Sequence, residues 1–169
     1  MIRHFAVLAA MTVAAATMLV AASGGARAAK PSADLRAAET TINDLAGAIK
    51  ANDAAAFGKL MVKDRDLVAF GTDASERWVG YDALMQSLHA QMKSFTTTGF
   101  AARDEVVHVL PSKDGAYFSE VVDWKIRSEG KDMVLKDMRL TGVLVKRGGH
   151  WLCAQFHFSM PVGGQAVAY

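Results

Sequence analysis

The chain has one cysteine, Cys153, so an internal disulfide, a cysteine zinc cluster and a CxxC redox pair are all excluded. It has only three prolines and no internal repeat, which removes collagen-like, proline-rich and solenoid readings. No HxH or HExxH spacing occurs. His89, His108 and His150 fall on a helix, a strand and a turn, so the histidines do not suggest a metal site. No basic stripe argues for nucleic acid. What remains is 51% hydrophobic and 21% charged over 169 residues, the balance of one globular domain that can bury a core.

The first segment has the pattern of a secretory signal. Arg3 and His4 make a short polar start, and Phe5 to Ala22 is an apolar run broken only by Thr12 and Thr17. Ser23-Gly24-Gly25 ends any helix, and Ala26-Arg27-Ala28 places small residues three and one positions before a cut at Ala29. No cysteine stands there to carry a lipid and no twin arginine is present. The expectation is a signal over 1–28, a flexible lead-in over 29–33, one domain over 34–162 and a tail over 163–169. The mature protein is then periplasmic or secreted, with no stable membrane anchor. Arg3 and Arg27 leave with the signal, so the 19 basic residues fall to 17 against 17 acidic ones, and the formal charge is zero.

Leu35, Ala38, Ile42, Leu45, Ala46 and Ile49 recur at helical spacing and predict a helix from about Asp34 to Ala51. Asn52-Asp53 ends it and caps a short second helix carrying Phe57, Leu60 and Met61. Leu67 to Thr72 reads as a strand, and Asp73 to Arg77 as a loop in which Asp73 makes its own turn bonds. Asp82 is expected to cap a third helix, with Leu84, Met85, Leu88, Met92 and Phe95 facing inward.

After Thr98 the period changes to that of strands. Phe100 to Leu110, Ala116 to Arg127, Met133 to Lys146 and Trp151 to Met160 are β-rich, separated by short polar breaks that signal hairpins. The layout is α+β: N-terminal helices packed on an antiparallel sheet. Apolar residues occupy both parities of the later strands, which predicts that both faces are covered, one by helices and one by a partner sheet. A homodimer follows.

Several local motifs occur in a characteristic order: Phe70-Gly71-Thr72-Asp73, Glu76-Arg77-Trp78-Val79-Gly80-Tyr81, Gly115-Ala116-Tyr117-Phe118, Arg139-Leu140-Thr141-Gly142-Val143-Leu144, Gly149-His150-Trp151-Leu152 and His157-Phe158-Ser159-Met160-Pro161. From about Leu35 to Pro161 the chain resembles the SnoaL-like branch of the nuclear transport factor 2-like superfamily. Its ending is also similar to the association domain of calcium/calmodulin-dependent kinase. The resemblance implies a cone-shaped fold with a strongly curved sheet, a dimer, and a pocket between the concave sheet face and the helices. It does not imply one activity, because this scaffold serves isomerases, dehydratases, binding modules and assembly domains.

Alternation along strands selects the candidate pocket residues. Phe118, Glu120, Val122 and Trp124 share one face of their strand; Arg139, Thr141 and Val143 share one of theirs. Trp151, Cys153, Gln155, His157 and Ser159 share one of the last strand. If all three faces are concave, Glu120, Arg139 and His157 converge beside Trp124, with Trp78 and Tyr81 closing the mouth. Ser159 joins the contact set but lacks a nucleophile-elbow context. Each has a structural alternative: Glu120 and Arg139 as a buried ion pair, His157 as a hydrogen-bonded core residue, both tryptophans as core, and Cys153 as an inert hydrophobe.

Three functions fit these residues. In a small-molecule binding domain, Arg139 would meet an anionic group of the ligand. In a cofactor-independent isomerase or dehydratase, Glu120 or His157 would be the general base. In a structural or assembly domain, side chains would fill the hollow. The aspartate base and tyrosine acid of the resembling isomerases have no matching positions here, and no reading calls for a cofactor.

Overall fold

The computed structural model describes residues 30–164. The expected signal segment and its cut at Ala29, and the tail from residue 165 onward, lie outside the described residues.

Three helices precede most of the sheet: α1 (Ala33–Lys50), α2 (Ala54–Lys59) and α3 (Tyr81–Ser94). Ser32 caps α1, its side chain accepting from the Leu35 amide at 3.0 Å. Asp53 caps α2 by accepting from the Ala56 amide at 2.9 Å. The cap of α3 is not Asp82. It is Gly80 at φ +85°, which makes no side-chain cap bond, and Tyr81 already lies in the helix.

The six strands are β1 (Val68–Phe70), β2 (Arg77–Val79), β3 (Thr96–Val109), β4 (Gly115–Ser128), β5 (Lys131–Arg147) and β6 (His150–Ser159), in the order β2-β1-β6-β5-β4-β3. The sheet is mixed, because β1 runs parallel to β6 while every other pair is antiparallel. Strand β2 stands where a loop was expected, and three residues are too few to show a period. Two-residue turns join β4 to β5 and β5 to β6. Glu129 and Gly130 in one, Gly148 and Gly149 in the other, all have positive φ, as such tight hairpins require.

Register shifts interrupt β3–β4 at Thr97/Gly99 and Arg103/Val106, β4–β5 at Val122/Trp124 and β5–β6 at Val143/Leu144. Bulges of this kind bend strands and increase their twist, so the sheet curves around α1 without closing. Ile42, Leu45 and Ile49 of α1 pack with Phe57, Leu84, Phe118, Leu140 and Phe156 in the core. Each such side chain contributes about 1.5–3 kcal/mol by leaving water.

Asn52 ties three elements together. Its Nδ2 donates to the carbonyls of Met92 at 3.1 Å and Phe95 at 2.8 Å, and its Oδ1 accepts from the Thr97 amide at 2.6 Å. It does so from φ +52°, a conformation asparagine tolerates better than most residues.

Candidate functional site

The inner sheet face and the helices enclose a cavity of about 190 Å³. Helix α3 supplies Leu84, Leu88, Gln91 and Met92, followed by Phe95; the first two helices supply Ile49 and Phe57. The sheet supplies Trp78, Trp124, Ile126, Leu135, Phe156 and Phe158, and the β1–β2 loop supplies Gly71, Thr72 and Glu76. Trp124 is fixed by an indole N–H donated to Thr97 Oγ1 at 3.1 Å and by edge-on packing against Phe95.

Glu76 and Gln91 are the main polar groups of this cavity. Glu76 Oε2 accepts from the amides of Thr72 at 2.7 Å and Asp73 at 3.0 Å, and Oε1 accepts from Gln91 Nε2 at 3.0 Å. The loop closes this tightly because residue 71 is glycine. A Cβ there would stand 2.1 Å from Glu76 Oε2. Gln91 Nε2 also donates to Ser87 Oγ at 3.2 Å. Asp73 takes the turn bonds of Ser75, which hold its carboxyl below the usual range.

A second hollow of about 20 Å³, room for one water-sized molecule, lies deeper under α1. It shares the walls Ile49, Phe57, Phe156 and Phe158 with the main cavity. Glu120 faces it, 5% exposed. Among the described residues its carboxyl meets no hydrogen-bond donor or cation. Burial, with the Glu105 carboxylate adding to it, pushes its pKa up to about 7.

The expected convergence on Glu120 does not occur. Antiparallel partners share a face. Glu120 pairs with Leu140 inside, whereas Arg139 pairs with Val121 and Ser159 on the outer face. Arg139 and Glu120 therefore form neither a ligand clamp nor a buried ion pair. His157 is exposed on that outer face beside the Phe70 ring, 5.4 Å between centroids. The reason lies in β6. Its pairing jumps from Cys153 to Gln155, leaving Ala154 extra, so Trp151, Cys153, Phe156 and Phe158 all point inward. Gln155, His157 and Ser159 consequently turn outward.

Of the expected residues, Trp78 and Trp124 line the main cavity and Glu120 lines the deeper hollow. Tyr81 faces a separate surface depression with Lys63 and Asp64, and does not close the mouth. Cys153 is fully buried, and burial pushes its thiol up to about 12. Glu76 and Gln91 escaped the sequence reading. Their signal was present: Gln91 continues the Leu84–Leu88 face of α3, and Glu76 sits three residues after Asp73 in a glycine-led turn. Among the described residues no cluster could hold a metal ion, and no helix is long and apolar enough to cross a membrane.

The same fold occurs in solved structures. A ketosteroid isomerase-like protein from Erwinia carotovora atroseptica superposes with a TM-score of 0.66 at 17% identity, covering 78% of this chain and 99% of that one. A candidate scytalone dehydratase from Novosphingobium aromaticivorans gives 0.65 at 19%, covering 76% and 85%. A candidate calcium/calmodulin-dependent protein kinase II association domain from Xanthomonas campestris gives 0.63 at 18%, covering 75% and 86%. At these identities the likeness establishes the α+β cone fold alone. A search of curated protein sequences finds no match. Residues 38–163 match the family profile described as a SnoaL-like domain, and the chain belongs to that family.

Proposed function

We propose that this protein is an exported binding domain that holds a small molecule with a largely apolar surface in the cavity under α3, and that it works as a homodimer. The observation that supports binding is the cavity itself: about 190 Å³, walled by six aromatic rings and several aliphatic side chains, with few polar groups. Export rests on the Phe5–Ala22 run and the Ala26-Arg27-Ala28 site. The dimer rests on the outer sheet face, which carries no helix among the described residues and exposes Val106, Tyr117 and Val143. Native mass spectrometry of the protein expressed from its full-length sequence and purified from periplasm tests all three together. The expected result is a chain beginning at Ala29, a subunit number of two, and a retained small molecule released on unfolding. A monomer of uncleaved chain with nothing bound defeats the proposal.

A second reading has its own observation. Glu120 is a buried carboxyl whose pKa of about 7 suits a general base, as a cofactor-independent isomerase or dehydratase would need. It requires the substrate to pass the Phe57–Phe156 partition into the deeper hollow. A turnover lost in Glu120→Gln, with ligand affinity retained, separates this reading from simple binding.

A further inference from the structure

Resting on the cavity reading above, the geometry points to an organic cation, a compact ammonium compound with apolar substituents, as the class of ligand. The argument is one of sign. Among the described residues no lysine, arginine or histidine lines the main cavity or the deeper hollow, whereas each contains a glutamate. Glu76 is held at the cavity edge by the Thr72 and Asp73 amides and Gln91. Its Oε1 takes only the Gln91 bond, so that atom keeps acceptor capacity towards the cavity. Because Gln91 Nε2 is spent on Glu76 and Ser87, its side-chain oxygen is the end left for a ligand. The available polar groups are therefore acceptors.

The walls favour the same sign. Trp78, Trp124, Phe57, Phe95, Phe156 and Phe158 surround the space, and the negative faces of aromatic rings attract weakly hydrated cations. An anion in the main cavity would meet the Glu76 carboxylate, with no cationic side chain among the described lining residues to offset it.

The test uses the full-length protein and three probes of nearly equal shape: benzyltrimethylammonium, its carbon isostere neopentylbenzene, and phenylmethanesulfonate. Quenching of Trp78 and Trp124 fluorescence and calorimetry report binding. The expected order is cation first, tighter than the isostere by roughly ten-fold, with the sulfonate weakest. Glu76→Gln should bring cation and isostere within about three-fold of each other, and raised salt should weaken only the cation. Trp78→Leu, which leaves the Glu76 loop bonds in place, should likewise cost the cation more than the isostere. Isostere or sulfonate binding as tightly as the cation overturns the inference and leaves the cavity reading standing. So does a cation preference that neither variant moves. No binding by any of the three overturns the cavity reading itself.

Discussion

The Glu120 carboxyl is the residue most at odds with its surroundings. Its pKa rises from an ordinary 4.5 to about 7, so the folded protein binds more protons than the unfolded chain between those values. Stability therefore falls as pH rises through that window and is level above it. The penalty at pH 8 is on the order of 2 kcal/mol, less to the extent that solvent reaches the hollow. Glu120→Gln keeps the shape and removes the charge. In urea titrations the variant should match the parent near pH 4.5 and exceed it by roughly 1–2 kcal/mol at pH 8. Parallel pH profiles for the two proteins would show that the carboxylate is not buried as described. Carboxyls perturbed in this way cluster at functional sites, which is why Glu120 stays in the catalytic alternative.

At the scale of elements, the mouth of the cavity depends on how α3 ends. Met92 and Phe95 are cavity walls, and their carbonyls are the two acceptors held by Asn52. Asn52→Ala removes both bonds and the one to the Thr97 amide, and it leaves alanine at φ +52°. The expected loss is about 2–3 kcal/mol, seen as a lower denaturation midpoint, with weakened binding of whatever occupies the cavity. A midpoint unchanged by the substitution would mean that α3 is held by its apolar face alone. The helix and hairpin elements were readable because their signals are local: apolar spacing in α1, Asp53 as a cap, and short polar breaks between long strands. The inward set of β4 was also readable, and it puts Trp124 and Glu120 on the inner face. The Arg139 and His157 assignments failed for non-local reasons. Which face of β5 is inward depends on its register with β4, although Met138, Leu140 and Leu144 already formed the more apolar set. The inversion in β6 comes from a single extra residue, Ala154, and nothing in its side chain marks a bulge.

At the scale of the whole molecule, the described helices cover one side of the sheet and not the other. The outer face carries Tyr117 paired across to Val143 and on to Gln155, with Val106 nearby on β3; His108 stacks on the Tyr117 ring at 5.1 Å. Tyr117 is 50% exposed and Val106 57%, unusual positions for large apolar groups mid-strand in a sheet flanked by water. On this face Arg103 is paired with Asp123 and Asp137, while Arg139 stands exposed with no ion-pair partner among the described residues. A second copy related by a two-fold axis would bring the Tyr117–Val143 patch onto its like. The corresponding prediction separates assembly from folding. The pair Tyr117→Glu and Val143→Asp puts like charges at adjacent cross-strand positions on an exposed surface. Each protomer should keep its far-ultraviolet circular dichroism and lose only modest stability, while light scattering shifts from twice the chain mass to once. A parent protein that is already monomeric at tens of micromolar, or a variant that remains dimeric, would place the partner of this face elsewhere. If the dimer does dissociate and the cavity still binds its probe with unchanged affinity, each protomer holds a complete site.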